Sequence, residues 1–103
     1  MDKRKQQFGK ILELSKTMME CAQNGAWEDL GKTEAYRQSL ITAFFDEPSL
    51  ASELEWIELG IHELLRLDKM IVQISKSELD SIQADLQKLQ QGKQGINAYQ
   101  QNR

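Results

Sequence analysis

Few residues of this chain have the types and spacing that catalysis or metal binding needs. The single histidine, His62, projects roughly opposite the main apolar stripe of its predicted helix, which is typical of a solvated surface residue. With one cysteine and one histidine, the chain lacks the Cys and His pairs that bind zinc. It also has no Gly-rich phosphate loop, and its carboxylates are spread along helix exteriors. The sequence therefore predicts no enzyme, no metal site and no cofactor.

The remaining reactive group, the thiol of Cys21, lies off the apolar stripe of its helix and has no basic neighbour predicted to activate it. A lone cysteine forms no internal disulfide and fits a reducing compartment. The first five residues are basic, but no apolar signal core follows them. No run approaches the roughly 20 apolar residues that span a bilayer. We therefore expect a cytoplasmic protein without membrane insertion.

The charge balance excludes a further class of partner. The chain has 103 residues, a formal net charge of −3 and a pI near 5.1. Direct binding to nucleic acid needs clustered Lys and Arg, which an acidic chain of this kind does not provide. At this length and with 40% hydrophobic residues, one helical domain with a modest core is expected.

A long stretch from Asp46 to Gly92 is the element that must position everything else. Its apolar residues recur at helical spacing, and most share one broad side: Leu50, Leu54, Ile57, Ile61, Leu64, Leu65, Ile71, Val72, Leu79, Ile82, Leu86 and Leu89. A second cluster lies about a third of a turn away. The last four residues of the main stripe follow steps of three and four, which indicates a coiled-coil seam.

The second cluster is the candidate partner-binding face, and it comprises Trp56, Leu59, Leu67, Met70 and Ile74. A helix that is apolar on two faces must be covered from two directions, and upstream helices can cover one of them. An aromatic residue and a methionine suit a groove for a partner helix. The alternative is packing inside the monomer or across a homodimer, since a long exposed apolar patch is a liability in a free protein.

The elements predict an all-α fold, an antiparallel helical hairpin packed on one long third helix. The predicted helices cover about residues 2–23, 26–45 and 48–91, so that residues 1–92 form the bundle. Gly25 can adopt the left-handed conformation that closes the first helix. Gly60 lies inside the third helix, where it either allows close packing beside Trp56 or marks a mild bend. Residues 93–103 are polar and form a flexible tail with, at most, a short helical turn.

Two further features, one in the second helix and one in the tail, each have two interpretations. Glu34 and Arg37 share the inward side of the second helix, three residues apart. They form either a local ion pair or a polar pair that fixes register against a neighbouring helix or captures a partner group. In the tail, the apolar residues Ile96 and Tyr99 either fold back on the body or form an exposed docking element.

Two motifs resemble those of the flagellar FliT-type export chaperones. The first is the segment 18–30, in which an apolar helix end and Ala-Gln precede a Gly turn and then Trp, an acidic residue and Leu. The second is Ile96-Asn97-Ala98-Tyr99, which is similar to the family's Asn-Ala-Tyr element. Their order and separation, and the all-helical pattern around them, fit the family as well.

The resemblance implies a small cytoplasmic chaperone that binds the C-terminal amphipathic helix of the filament-cap protein and delivers it to the export gate. It further implies contacts with the export-gate membrane protein, in which Tyr99 would dock, and with the export ATPase complex. Some members also sequester the flagellar master transcriptional activator. The sequence leaves two alternatives to this chaperone: a homodimeric coiled-coil adaptor, and an anti-activator without chaperone activity.

Overall fold

The computed structural model describes residues 2–101, and the side chains of residues 2–91. Three α-helices follow one another: α1 (Lys3–Gln23), α2 (Trp27–Asp46) and α3 (Leu54–Gln101), with a 3₁₀ turn at Ala51–Glu53 before α3. No strand occurs in the described part of the chain. The predicted all-α fold, with a helical hairpin against a long third helix, is confirmed.

The ends of α1 show why the hairpin forms where it does. Asp2 caps the first turn, since its carboxylate accepts hydrogen bonds from the backbone N–H groups of Arg4 and Lys5. At the other end Gly25 has φ +70°, as predicted for the turn, and the N–H of Ala26 donates to the carbonyl of Cys21 at 2.8 Å. This hydrogen-bond pattern closes the helix and reverses the chain within a few residues.

The connection from α2 to α3 is held by a buried carboxylate. Glu53 is buried, accepts from Arg4 Nε at 3.0 Å, and accepts from the backbone N–H of Leu50 at 2.9 Å. Arg4 also donates to the carbonyl of Phe44 at 2.9 Å. These hydrogen bonds favour the ionised carboxylate and lower the pKa of Glu53, with the Arg4 bond as the largest cause. The start of α3 is thereby joined to the start of α1 and the end of α2.

The three helices do not pack equally against one another, because α1 lies between the other two. Both α2 and α3 pack against α1, whereas no Cα atom of α2 comes within 8 Å of a Cα atom of α3 in the described chain. The first turns of α1 lie beside the start of α3, and the end of α1 near Ala22 lies beside Ile74. Thus α3 runs in the same direction as α1 and antiparallel to α2.

The core consists of two clusters along α1. One joins Phe8, Ile11, Phe44, Ile57 and Leu64, with edge-to-face contacts among the rings of Phe8, Phe44 and Trp56. The other, which we name the methionine cluster, joins Met18, Met19, Ala22, Leu67 and Ile71. The aromatic end of α1 therefore anchors the beginning of α3, and the methionine end anchors its middle.

Gly60 decides how closely α1 and α3 approach. The ring of Phe8 lies so close to Gly60 that a Cβ atom at this position would overlap it. Phe8 is itself buried among other rings and has no room to retreat. Of the two roles predicted for Gly60, the structure therefore supports close packing, with Phe8 as the neighbour.

The bounds of α3 differ from the predicted range 48–91. Pro48 and the following two residues are not helical, and regular α-helix begins only at Leu54, after the 3₁₀ turn. The helix then continues without a break through Ser75 and Ser77, and it extends to Gln101. No helix in the described chain is both long and apolar enough to cross a membrane. The flexibility predicted for residues 93–103 stays a prediction.

Candidate partner-binding surface

The residues predicted to bind a partner occupy different environments in the structure. Leu67 is 5% exposed and lies in the methionine cluster, Ile74 packs against that cluster, and Trp56 packs against Phe8 and Phe44. For these three residues the structure shows the alternative, packing inside the monomer. Leu59 is 65% exposed and Met70 is also exposed. Partner binding through these two residues stays a prediction.

Most of the main stripe, by contrast, is exposed. The hairpin covers the boundary between the two apolar sectors of α3, which leaves the far edge of the main stripe open to solvent. We name this edge the seam; its residues are Leu54, Ile61, Leu65, Val72, Leu79, Ile82, Leu86 and Leu89, all of them exposed. Their spacing follows heptads, as in a coiled coil whose second helix is absent. The seam thus forms a continuous row of exposed aliphatic side chains along the described part of α3.

The middle of the seam borders a groove between α2 and α3. A cavity of about 280 Å³ is lined by Leu30 and Glu34 from α2, by Asp68, Val72 and Ser75 from α3, and by Met18 of α1 at its floor, among others. A second cavity, of about 210 Å³, lies where Trp27 meets Leu79 and Ile82. The groove exists because the backbones of α2 and α3 both pack on α1 and stay apart from each other, so that only side chains such as Phe44 and Arg37 of α2 reach α3.

The predicted pair of Glu34 and Arg37 does not form. Arg37 instead reaches across the groove, where its Nη1 donates to Asp68 Oδ1 at 2.7 Å, and it contacts α1, where Nη1 donates to Ser15 Oγ at 3.0 Å. Glu34 is exposed at the edge of the same groove. Arg37 therefore pairs with Asp68 of another helix and not with Glu34, and a role in fixing register stays a prediction.

The predicted docking residues Ile96 and Tyr99 belong to the last turns of α3. Their side chains lie outside the part of the chain whose side chains the structure describes.

A comparison with protein families decides the identity at the level of the family. A family model described as flagellar protein FliT matches residues 5–101, which is nearly the whole chain. The chain belongs to the FliT family. This membership confirms the resemblance stated from the two motifs. No curated protein and no solved structure matches the chain.

For this FliT-family protein, the sequence pattern contained a signal that points to the seam. Positions 61, 65, 68, 72, 75, 79, 82, 86 and 89 follow steps of three and four without interruption, and all but Asp68 and Ser75 are aliphatic. Only the last four were identified as a coiled-coil seam from the sequence. The earlier ones were grouped with Ile57 and Leu64, which are buried, because the helical angle alone does not tell core from surface.

Proposed function

We propose that this protein is a flagellar type III export chaperone that holds an amphipathic helix of an exported protein along its seam. The observation that carries the proposal is the exposed seam beside the groove between α2 and α3 in a chain of the FliT family. An added helix would pack its apolar stripe against both α2 and α3 and complete a four-helix arrangement. Such burial shields aggregation-prone surface of client and chaperone alike.

The client that best fits is the C-terminal amphipathic helix of the filament-cap protein, held in the cytoplasm until delivery. The seam runs from Leu54 to Leu89, a rise of about 50 Å along a helix, which suits a long client helix. Aliphatic side chains in heptad spacing accept such a helix without demanding one particular sequence. We therefore place client binding on the seam and the groove, and keep Leu59 and Met70 as a competing face.

The experiment is titration calorimetry with the C-terminal segment of a filament-cap protein, with the mass of protein and complex determined in parallel. We expect saturable one-to-one binding with a dissociation constant in the micromolar range or tighter. Leu79→Asp should weaken binding at least about tenfold, because it buries an unpaired charge in the interface. Leu59→Asp is the matched control, since both leucines are exposed on α3 but lie on different sides. If Leu59→Asp weakens binding more than Leu79→Asp does, the client binds the face of Leu59 and Met70 instead of the seam.

A homodimeric adaptor is the second candidate, and the C-terminal half of α3 favours it. The last four seam residues have the spacing of a coiled coil, and every residue from Lys76 to Gln91 is exposed. A second copy could cover this seam. The mass measurement separates the two candidates: a monomer at micromolar concentration contradicts the adaptor, and a stable dimer that ignores the client segment contradicts the chaperone.

The delivery step is a separate part of the proposal. We assign docking on the export gate to Ile96 and Tyr99, because they belong to the motif that resembles the family's Asn-Ala-Tyr element. We further propose that the client-loaded protein contacts the export ATPase complex. Tyr99→Ala should leave folding and client binding intact while it lowers export of the cap protein in cells. Unfolding of the Tyr99→Ala variant would instead show that Tyr99 is a core residue.

The last part of the proposal is a regulatory role that depends on whether the chaperone is loaded with its client. The unloaded chaperone would sequester the flagellar master transcriptional activator through protein contacts, without touching DNA, and the loaded one would release it. A reporter for flagellar gene expression should rise when the cap-protein segment is overproduced. No response of the reporter to either the chaperone or the segment would contradict this role.

A further inference from the structure

The seam has a polar interruption at the place where it meets α2. Between Leu65 and Val72, the position expected to be apolar is Asp68, and Ser75 follows one heptad later. All other seam positions from Ile61 to Leu89 are aliphatic. Polar residues at isolated positions of an otherwise apolar seam fix the register of the helix that packs on it, at some cost in affinity. Of the two here, Asp68 carries the charge.

The Asp68 carboxylate is held from beneath by a buried cation. Arg37 is only 7% exposed; its Nη1 donates to Asp68 Oδ1 at 2.7 Å and its Nη2 to Oδ2 at 3.4 Å. Ser15 Oγ accepts from Arg37 Nη1 and donates to the carbonyl of Ile11 at 3.0 Å. The network therefore runs from the backbone of α1 through Arg37 to α3, and it positions the carboxylate on the surface of the groove.

Toward the groove, Asp68 still has acceptor capacity. About 40% of its side chain is exposed, and a carboxylate offers about four lone-pair sites, of which Arg37 uses two. Glu34 lines the same cavity and is exposed. With formal charges of −1 on Glu34, −1 on Asp68 and +1 on Arg37, this part of the groove carries a net charge of −1.

A client helix that packs over Asp68 removes water from the hydrogen-bond network of Asp68 and Arg37. The residue that the client places over Asp68 must therefore replace the lost hydrogen bonds. The Nε of Arg37 is already buried without an acceptor, so one donor of the network is unsatisfied before anything binds. An aliphatic residue placed over Asp68 would leave acceptors unsatisfied as well. A Lys or Arg side chain would instead donate charge-assisted hydrogen bonds to the carboxylate.

We propose that Asp68, positioned by Arg37, selects a client helix that carries one Lys or Arg within its apolar stripe, and that this contact sets the register of the client on the seam. The inference rests on the proposed function, because it specifies which helices the site accepts. A second copy of this chain fits less well. A parallel copy in register would bring two Asp68 carboxylates into one layer, and an antiparallel copy has no Lys or Arg among its own seam positions to place over them.

The first test uses the cap-protein C-terminal segment and variants in which each Lys or Arg is replaced in turn by Met. We expect one replacement to weaken binding about tenfold or more and the others to have little effect. The double variant Arg37→Met with Asp68→Leu should lose this discrimination, because it replaces the ion pair by apolar groups. A matched control is Glu63→Leu with Arg66→Met, which removes an ion pair of 2.6 Å elsewhere on α3 and should retain the discrimination.

The second test does not depend on the flagellar client. A designed heptad peptide with Leu at its core positions carries Lys, Met or Glu at one central core position. The wild-type protein should bind the Lys peptide most tightly and the Glu peptide most weakly, and the double variant should prefer Met. Asp68→Asn, which keeps the shape of the side chain, should reduce the preference for Lys, and thermal melting curves should verify that each variant is folded.

The outcomes separate the inference from the proposed function. If the cap segment fails to bind but the designed peptides follow the expected order, the cap-protein function fails and the selectivity stands. If the cap segment binds and no basic residue matters, the function stands and the selectivity is overturned. Absence of binding in both tests overturns the selectivity, as does a homodimer that the double variant strengthens, since the occupant of the seam would then be a second copy.

Discussion

The two halves of α3 carry similar apolar residues in different environments. From Leu54 to Ser75 the helix packs against α1, and its apolar side chains divide between the core and the exposed seam. From Lys76 to Gln91 every residue is exposed, and the seam is the only apolar feature. Leucine therefore serves the core only in the first half, at Leu64 and Leu67, whereas exposed leucines occur in both halves. The comparison shows that the first half combines a buried side with an exposed seam, and that the second half has only the exposed seam.

The two halves should differ most in how much stability is lost when one leucine in each is replaced by alanine. Leu67→Ala removes a 5% exposed side chain from the methionine cluster and should lower the free energy of unfolding by about 3 kcal/mol. Leu86→Ala, in the exposed half, should change it by less than about 0.5 kcal/mol. Urea denaturation of the protein without client measures both. Equal losses would mean that the second half is also buried in the free protein.

The contact between Phe8 of α1 and Gly60 of α3 can be tested by substituting the glycine. Gly60→Ala should lower the free energy of unfolding by about 1–3 kcal/mol, because the new methyl group overlaps the Phe8 ring. Gly31→Ala is the matched control in α2, where no atom lies within 4 Å of the added Cβ. It should stabilise by up to about 1 kcal/mol through helix propensity alone. If both substitutions stabilise, α1 and α3 do not approach as closely at Gly60 as the structure indicates.

A smaller effect is expected at the start of the first half, where Glu53 anchors α3. Its pKa is lowered from the ordinary value of 4.5, mainly by the hydrogen bond from Arg4. A lowered folded-state pKa contributes stability that is present above pH 4.5 and is lost as the pH falls through the folded-state value.

Glu53→Gln should therefore flatten the acid limb of stability, measured as the urea midpoint between about pH 6 and pH 3. Arg4→Gln should flatten the same limb, because it removes the main cause of the shift. An acid limb that neither substitution changes would show that this ion pair does not couple to folding.

Much of the fold could be predicted from local sequence. The hairpin could be placed from the apolar periodicity of 2–23 and 26–45 together with Gly25, the one residue of the described chain with a positive φ. The start of α3 was missed by several residues because Pro48 was assigned to its first turn. In the structure the hydrogen bond from the Leu50 N–H to Glu53 belongs to a separate turn instead.

The candidate site was harder to predict, and Arg37 shows why. Sequence spacing offered Glu34 as its partner, three residues away on the same helix. The partner in the structure is Asp68, which is brought close only by the packing of α2 and α3 on α1. A pattern within one helix carries no information about which residue of another helix will lie opposite.

By itself, the sequence determined the helical class, the hairpin, the presence of a long third helix, and membership of the FliT family. Only the tertiary structure decided which side of α3 is buried. The helix has two neighbouring apolar sectors of comparable strength, so hydrophobic burial alone favours neither. In the structure the Phe8 ring lies against Gly60, where α3 has no side chain, and Leu64, Leu67 and Ile71 are buried on the same side. With that side of α3 turned toward α1, the seam is left exposed.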